Sequence, residues 1–238
     1  MGTPPIIVQN GTIINLFSGQ LNSTPQSGYN DIMRVRSEKK RSEIINIARV
    51  LFLREGYGSV SMAAIASAVG GSKGTLYGYF PSKEDLFAAF VIAAGKQRRE
   101  EFLLLPGKEA GLVATLTALG TNYLRLLLSP EIMAINRLVI AEAVRFPELG
   151  RIFFENGPKS VIDVMTDILA DAASRQELIL DDPVAGAWRF KALCEVRLFE
   201  QCLWAIRDGA TEEEIARNVE PAISIFLNTY RAGNNKSA

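Results

Sequence analysis

Lys73, Thr75, Tyr77 and Tyr79 place an ammonium, a hydroxyl and two phenols close together in one short stretch. Groups of these kinds donate hydrogen bonds to phosphate oxygens and to the edges of bases. The same stretch formally matches the nucleophile pattern G-x-S-x-G at Gly70-Gly71-Ser72-Lys73-Gly74. That pattern works only after a strand and with a histidine to activate the serine. The segment reads as helical and the chain contains no histidine, so hydrolysis is rejected and a histidine-ligated metal site with it. Neither the phosphate-loop nor the dinucleotide-binding pattern occurs. What remains is recognition of a polyanion, with no catalytic residue, cofactor or metal expected.

Positioning these side chains requires two short helices and a tight turn. Ser61 suits an N-cap, and Met62, Ile65, Ala66 and Val69 follow at helical spacing. Gly70-Gly71 ends that helix, because glycine reaches the left-handed conformation without steric cost. Ser72 caps a second helix in which Leu76 and Phe80 turn inward, leaving Lys73, Thr75, Tyr77 and Tyr79 nearer the surface. This is a helix-turn-helix pattern. A preceding helix begins near Ser37, packs through Ile44, Ile45, Ala48, Leu51 and Phe52, and ends at Gly56. Its leading turns carry Lys39, Lys40 and Arg41, with Arg34 and Arg36 just before. Ser82 and Asp85 resemble a capping box that opens the following helix. The expected DNA contacts are Lys73, Thr75, Tyr77 and Tyr79 on the second short helix. Ser61, Ser72 and Lys83 are assigned to phosphates through hydroxyls, ammonium or helix-end amides. Arg36, Lys39, Lys40 and Arg41 are assigned to the backbone or the minor groove.

The charge distribution points the same way. The 238-residue chain has zero formal net charge, yet residues 34–84 hold nine basic and four acidic side chains. Residues 1–33 contain one acid, Asp31, so the chain from 85 onward is net acidic. A basic module for a polyanion is thus joined to an acidic one with another task. No apolar run approaches the roughly 18 residues of a membrane span, and the N-terminus lacks a signal-peptide pattern. A cytoplasmic protein with no membrane partner is expected. The two cysteines, Cys194 and Cys202, are eight residues apart on one expected helix, about 12 Å between Cα atoms, too far for a disulfide.

Residues 1–33 read as a flexible arm, although Asn10-Gly11 between β-branched runs is a hairpin signal. Residues 34–82 form the DNA-binding unit, and residues 83–238 a helical regulatory and dimerisation unit. Asp182-Pro183 opens a long helix to about Arg207, and Thr211-Glu212-Glu213-Glu214 caps the last one. The long helix is apolar nearly all round, which suggests burial against both its own protomer and a second copy. The expected dimer face is Phe199, Leu203, Ile215, Val219, Ile223, Phe226 and Tyr230. Phe87, Phe90, Tyr123, Leu127, Arg137, Phe154, Met165, Trp188 and Glu195 are the candidates to line the effector cavity that a family resemblance implies for this unit, and their aromatics favour an apolar or aromatic ligand.

Over residues 41–87 the resemblance becomes specific. The run Ile44-Ile45, Ala48, Leu51-Phe52, Gly56-Tyr57, Ser61, Ile65-Ala66, Gly70, Ser72-Lys73-Gly74-Thr75-Leu76-Tyr77, Tyr79-Phe80, Ser82-Lys83 and Leu86 resembles the TetR/AcrR family of bacterial transcriptional regulators. The run Arg137 to Gly150 is similar to the C-terminal domain of the AcrR-like and AefR-like branch. Gly71 and Gly78 depart from the usual pattern, at a turn position and at a common DNA-contact position. The resemblance implies an all-helical homodimer of about nine helices per subunit. It would bind double-stranded operator DNA through helices one to three and a small-molecule effector through the C-terminal domain. A repressor released by its effector is the first reading. A helical sensor or interaction protein with weak DNA binding is the alternative.

Overall fold

The computed structural model of the chain describes residues 8–9, 12–13 and 26–232, with side chains from Ser37 onward except at 97, 98 and 108. Its internal contacts define two units, residues 1–40 and 41–238. In the first, strands β1 (Val8–Gln9) and β2 (Thr12–Ile13) pair antiparallel, Val8 opposite Ile13 and Gln9 opposite Thr12. Helix α1 (Gln26–Glu55) crosses the division. It starts well before Ser37, so the last part of the expected arm is helical. Pro25 is the last proline upstream, and no residue between it and Ser37 forbids helical backbone angles.

The second unit continues with α2 (Met62–Ala68), α3 (Lys73–Tyr79) and α4 (Lys83–Phe102). A 3-10 turn (Lys108–Ala110) leads into α5 (Gly111–Leu127), α6 (Pro130–Glu142) and α7 (Pro147–Asn156). Helices α8 (Pro158–Ser174), α9 (Pro183–Glu195), α10 (Leu198–Leu203) and α11 (Glu212–Tyr230) complete it. Four of these helices begin with proline, whose missing N–H is one that lacks a partner at a helix start anyway. At α11 the capping box forms as expected, Thr211 accepting from the Glu214 N–H while Glu214 accepts from the Thr211 N–H. The all-helical architecture is thus met.

Two apolar cores lie inside this unit. One gathers Ile44, Phe52, Tyr57, Ile65, Leu76 and Phe80 of the helix-turn-helix region with Leu86, Phe87 and Phe90 of α4. It also takes Ile135, Leu138 and Val139 from α6 and Leu149 from α7. The other is built from α5, α8, α9 and α11 around Leu116, Tyr123, Met165, Phe190 and Phe226. Helices α4 and α6 feed both, since Phe102 and Met133 belong to the second core. The expected boundary at residues 82–83 therefore falls within one packed core, not between two. Close approach in the second core depends on Gly120, where a Cβ would stand 3.0 Å from Val219 Cγ1 and 3.2 Å from Cys194 Sγ.

The long helix expected from Asp182 to Arg207 is broken. Arg197 adopts φ 68°, and α10 restarts at Leu198. No glycine or proline marks the break, and with ψ −46° at Arg197 the Leu198 N–H donates back to Val196 O at 2.8 Å, a γ-turn of the rare, strained hand. Tertiary hydrogen bonds take over the carbonyls involved. Asn218 Nδ2 of α11 donates to Cys194 O at 2.6 Å, closing the end of α9. At the far end of α10, the Arg137 guanidinium of α6 donates to Leu203 O at 2.9 Å and also to Cys202 O.

Candidate nucleic-acid interface

Local capping builds the motif. Ser61 Oγ accepts from the Ala64 N–H at 3.1 Å and starts α2. At its other end the Gly70 N–H donates to Ser67 O at 3.1 Å and the Gly71 N–H to Ala66 O at 3.2 Å. With Gly70 at φ 68°, this is a Schellman ending, which satisfies carbonyls that the helix leaves open. Ser72 Oγ then accepts from the Thr75 N–H at 3.1 Å and starts α3. Leu76 is 2% exposed and Phe80 is equally buried, so α3 is held by one face. Lys73, Thr75 and Tyr77 are exposed on the rest of it, Tyr77 to 48%. Gly74 and Gly78 are exposed as well.

The two capping serines have their hydroxyls committed to backbone amides, and Ser72 shares a further hydrogen bond with Thr75 Oγ1 at 3.0 Å. Tyr79 is only part-exposed and packs on the head core. A shallow cleft of about 440 Å³ runs between Gly58–Ala63, Tyr77 and Lys83, bringing Ser61, Tyr77 and Lys83 together. Arg41 is exposed and stacks its guanidinium 5.1 Å from the centre of the Phe80 ring. Lys39 and Lys40 lie on the stretch of α1 in the first unit, and Arg36 lies outside the described side chains.

Lys83 is placed differently from its expected role. Its ammonium donates to Tyr57 O at 2.9 Å and to Val60 O at 3.0 Å. It also lies 4.1 Å from the centre of the Tyr57 ring. Burial lowers its pKa, against the raising effect of Glu84, Glu142 and Glu148. The Tyr57 hydroxyl in turn donates to Glu84 at 2.9 Å, and burial above all, then this carboxylate, raises the phenol's pKa. Lys83 thus pins the turn between α1 and α2 from within. From the other side, Glu142 Oε1 accepts from the Gly58 N–H at 3.3 Å, and the Phe146 ring packs edge-on against Tyr57 at 5.3 Å. A Cβ on Gly58 would stand 2.8 Å from Phe146, so this grip requires glycine.

The nine residues expected around an effector separate into four places. Phe87 and Phe90 are fully buried in the head core, edge-on to each other at 5.9 Å, where Phe87 also meets Phe52 of α1 edge-on at 5.9 Å. Arg137 closes the end of α10. Leu127 and Met165 fill the second core. Tyr123, Glu195, Trp188 and Phe154 do come together. The Tyr123 hydroxyl donates to Glu195 Oε1, which also accepts from Lys191 Nζ at 2.6 Å. Lys191 Nζ lies 5.5 Å from the Trp188 ring centre, and that ring stacks parallel on Phe154 at 6.3 Å. Burial first, then the Glu195 charge, raises the Tyr123 pKa and keeps it a neutral donor. Lys191 is not among the residues expected from sequence, although it stands three residues after Trp188 and four before Glu195 on one helix.

Four residues of the expected dimer face are turned inward. Ile215, Val219, Ile223 and Phe226 are buried inside the protomer, against α5 and α9, whereas Phe199, Leu203 and Tyr230 are half-buried at the edge of the same core. The periodicity of α11 identifies a buried face, but its partner is the chain itself. The large apolar side chains left exposed beside α10 and on α11 are others: Val196, Trp204, Ile206 and Ile225.

Comparison with known proteins follows the same division of the chain. Residues 44–90 match the model described as bacterial regulatory proteins, tetR family. Residues 114–232 match the model of the AefR-like transcriptional repressor, C-terminal domain. The structure of the flavonoid-responsive regulator FrrA is similar with 34% identity and a TM-score of 0.74, over 82% of this chain and 99% of that one. A TetR-family regulator from Mesorhizobium loti MAFF303099 is 26% identical with a TM-score of 0.67, over 82% and 98%. The regulator UidR of Escherichia coli K12 is 40% identical over 62 residues, 26% of this chain. That match spans only 32% of UidR.

Proposed function

We propose that this chain, which belongs to the TetR family of bacterial regulatory proteins, is a homodimeric transcriptional repressor that releases operator DNA on binding a small, largely apolar effector. The observation that carries the reading is α3 itself, buried through Leu76 and Phe80 and presenting Lys73, Thr75 and Tyr77 outward. Hydroxyl, phenol and ammonium groups on an exposed helix suit a major groove, with the ammonium on phosphate. Two such helices must stand one helical turn of DNA apart, about 34–36 Å, to engage two half-sites. Trp204 and Ile206 near the end of α10 and Ile225 on α11 supply the exposed apolar surface for the second copy.

The aromatic and polar group of Phe154, Trp188, Lys191, Glu195 and Tyr123 supports a planar aromatic effector that carries a hydroxyl or carboxylate. The flavonoid response in the name of FrrA supports the same class. Such a ligand acts only by preferring the conformation in which the two α3 helices no longer match the half-site spacing. Helices α4 and α6, each with side chains in both cores, are the elements able to carry that change.

The test is fluorescence anisotropy of the full chain with a duplex from upstream of its own gene, across a salt series and then with an added flavonoid. A log affinity that falls linearly with log salt and drops further with flavonoid supports the reading. Salt-independent or absent DNA binding near physiological ionic strength favours the alternative, a sensor of the same fold without operator binding. Salt-dependent binding that no flavonoid alters removes the effector class and leaves the repressor.

A further inference from the structure

We infer that Glu142 is a positioning residue for operator recognition. From the end of α6 it fixes the angle of the reading head, and Arg137 of the same helix refers that angle to α10, beside the surface assigned to the second copy. This rests on the dimeric DNA-binding reading above.

Glu142 sits in a notch that only glycine leaves open. Gly56 and Gly58 flank Tyr57 in the turn between α1 and α2, and the Glu142 carboxylate lies against both. A Cβ on Gly56 would stand 2.7 Å from Glu142 Oε1. One on Gly58 would stand 3.2 Å from Glu142 Oε2 and 2.8 Å from the Phe146 ring. Among the described glycines, no other is approached this closely by a side chain distant in sequence. Gly56 has a second reason to be glycine in its φ of 83°, but Gly58 is not a positive-φ residue. The space at Gly58 therefore serves the contact with the α6–α7 turn. Inside the notch the Gly58 N–H donates to Glu142 Oε1 at 3.3 Å.

The other contacts between α6 and the head fix its direction less well. Ile135, Leu138 and Val139 join the head core through apolar surface, and that attraction has no preferred direction. At the start of α6, Glu131 accepts from Arg49 of α1 at 2.8 Å, but the two side chains are 34% and 41% exposed, and such pairs contribute little. A hydrogen bond is directional, and the one at Gly58 is also walled by sterics.

Arg137 supplies the other end of the tie. It precedes Glu142 by five residues, about 7.5 Å along the helix and about 140° around it, so the two leave α6 on different sides. Its guanidinium donates to Leu203 O at 2.9 Å and to Cys202 O, where α10 ends. Trp204 and Ile206, both exposed, follow at once. Less than two turns of helix thus connect the surface for the second copy to the turn from which α2 and α3 start. Heads held at one angle in both copies accept one separation of half-sites.

The experiment measures spacing preference by fluorescence anisotropy of the full chain. The duplexes are the footprinted operator from upstream of its own gene, versions with the half-sites moved one base pair closer or further apart, and one half-site alone. One base pair turns a half-site by about 35° around the duplex, which a fixed head does not follow. The wild type is expected to prefer the native spacing by about tenfold or more. Glu142→Ala and Arg137→Met are each expected to reduce that preference to about threefold or less, with single half-site affinity and salt slope unchanged. Glu142→Gln keeps the side-chain length and an oxygen for the Gly58 N–H, and should retain the wild-type preference. A preference unchanged in either Glu142→Ala or Arg137→Met overturns the inference. So does a single half-site affinity that falls together with Tm in Glu142→Ala, which would make Glu142 a support of the head alone. A wild type that binds every spacing equally overturns the inference and leaves operator binding standing. One that binds no duplex overturns the DNA-binding reading itself, and this inference with it.

Discussion

Replacing Lys83 with methionine separates a structural lysine from a DNA contact. Methionine keeps the stem that crosses the Tyr57 ring but removes the ammonium that donates to Tyr57 O and Val60 O at 2.9 and 3.0 Å. Hydrogen bonds to a charged group contribute about 1.5–3 kcal/mol each, and the cation over the ring adds about 0.5–1 kcal/mol. Against this stands the cost of drawing the ammonium out of water, visible in its lowered pKa. The net loss expected for Lys83→Met is therefore about 2–3 kcal/mol, a fall in Tm on the order of 5–10 °C for a chain of this size. The matching assay measures operator affinity against salt for Lys83→Met and Lys73→Ala side by side. Lys73 is exposed, and its loss should leave the melt unchanged while lowering the log–log salt slope by about 0.9 for each phosphate contact removed. Lys83→Met should show the reverse, a lower Tm with an unchanged slope. A Lys83→Met protein that melts normally but loses slope like Lys73→Ala would refute the clamp and return Lys83 to the phosphates.

Three further outcomes follow from the packing and the charges. Gly120→Val should destabilise the chain by about 1–3 kcal/mol in urea melts, because Val219 and Cys194 already stand 3.0 and 3.2 Å from the added Cβ. Glu214 is held down to about 2, first by its hydrogen bond from Arg207 and then by the Thr211 N–H. Its contribution should be present above its ordinary pKa of 4.5 and be lost as pH falls from there toward 2, so Glu214→Gln should flatten the acid limb of a stability–pH curve over that window. Burial pushes the Cys194 thiol up to about 12. A thiol reagent at pH 8 should leave Cys194 unmodified in the native chain and modify it on unfolding, as read by mass spectrometry of the labelled peptide.

The helix-turn-helix is legible in the amino-acid order because its determinants are local. Ser61, Gly70, Gly71 and Ser72 act on amides and carbonyls within a few residues of themselves, and each takes the part its chemistry assigns. The same holds for the proline starts of four helices and the Thr211–Glu214 box. The order of helices, the charge asymmetry and the family pattern follow from features of this range.

Tertiary structure decided which side chain meets which. The stripe on α11 announces a buried face, but periodicity carries no label for the surface that covers it, and α5 and α9 cover it first. Phe87 and Phe90 are as apolar as any pocket residue, yet the register of α4 assigns them to the head. Lys83 follows a capping serine at the surface, and only the carbonyls of Tyr57 and Val60, more than twenty residues earlier, turn it inward. The break at Arg197 has no local cause, because Asn218 and Arg137 reach in from other helices to take the carbonyls of α9 and α10. The sequence by itself determined the reading head, since capping and turns are short-range. What grips that head, and what closes the regulatory helices, depends on groups far apart in the chain, and only folding brings them within bonding distance.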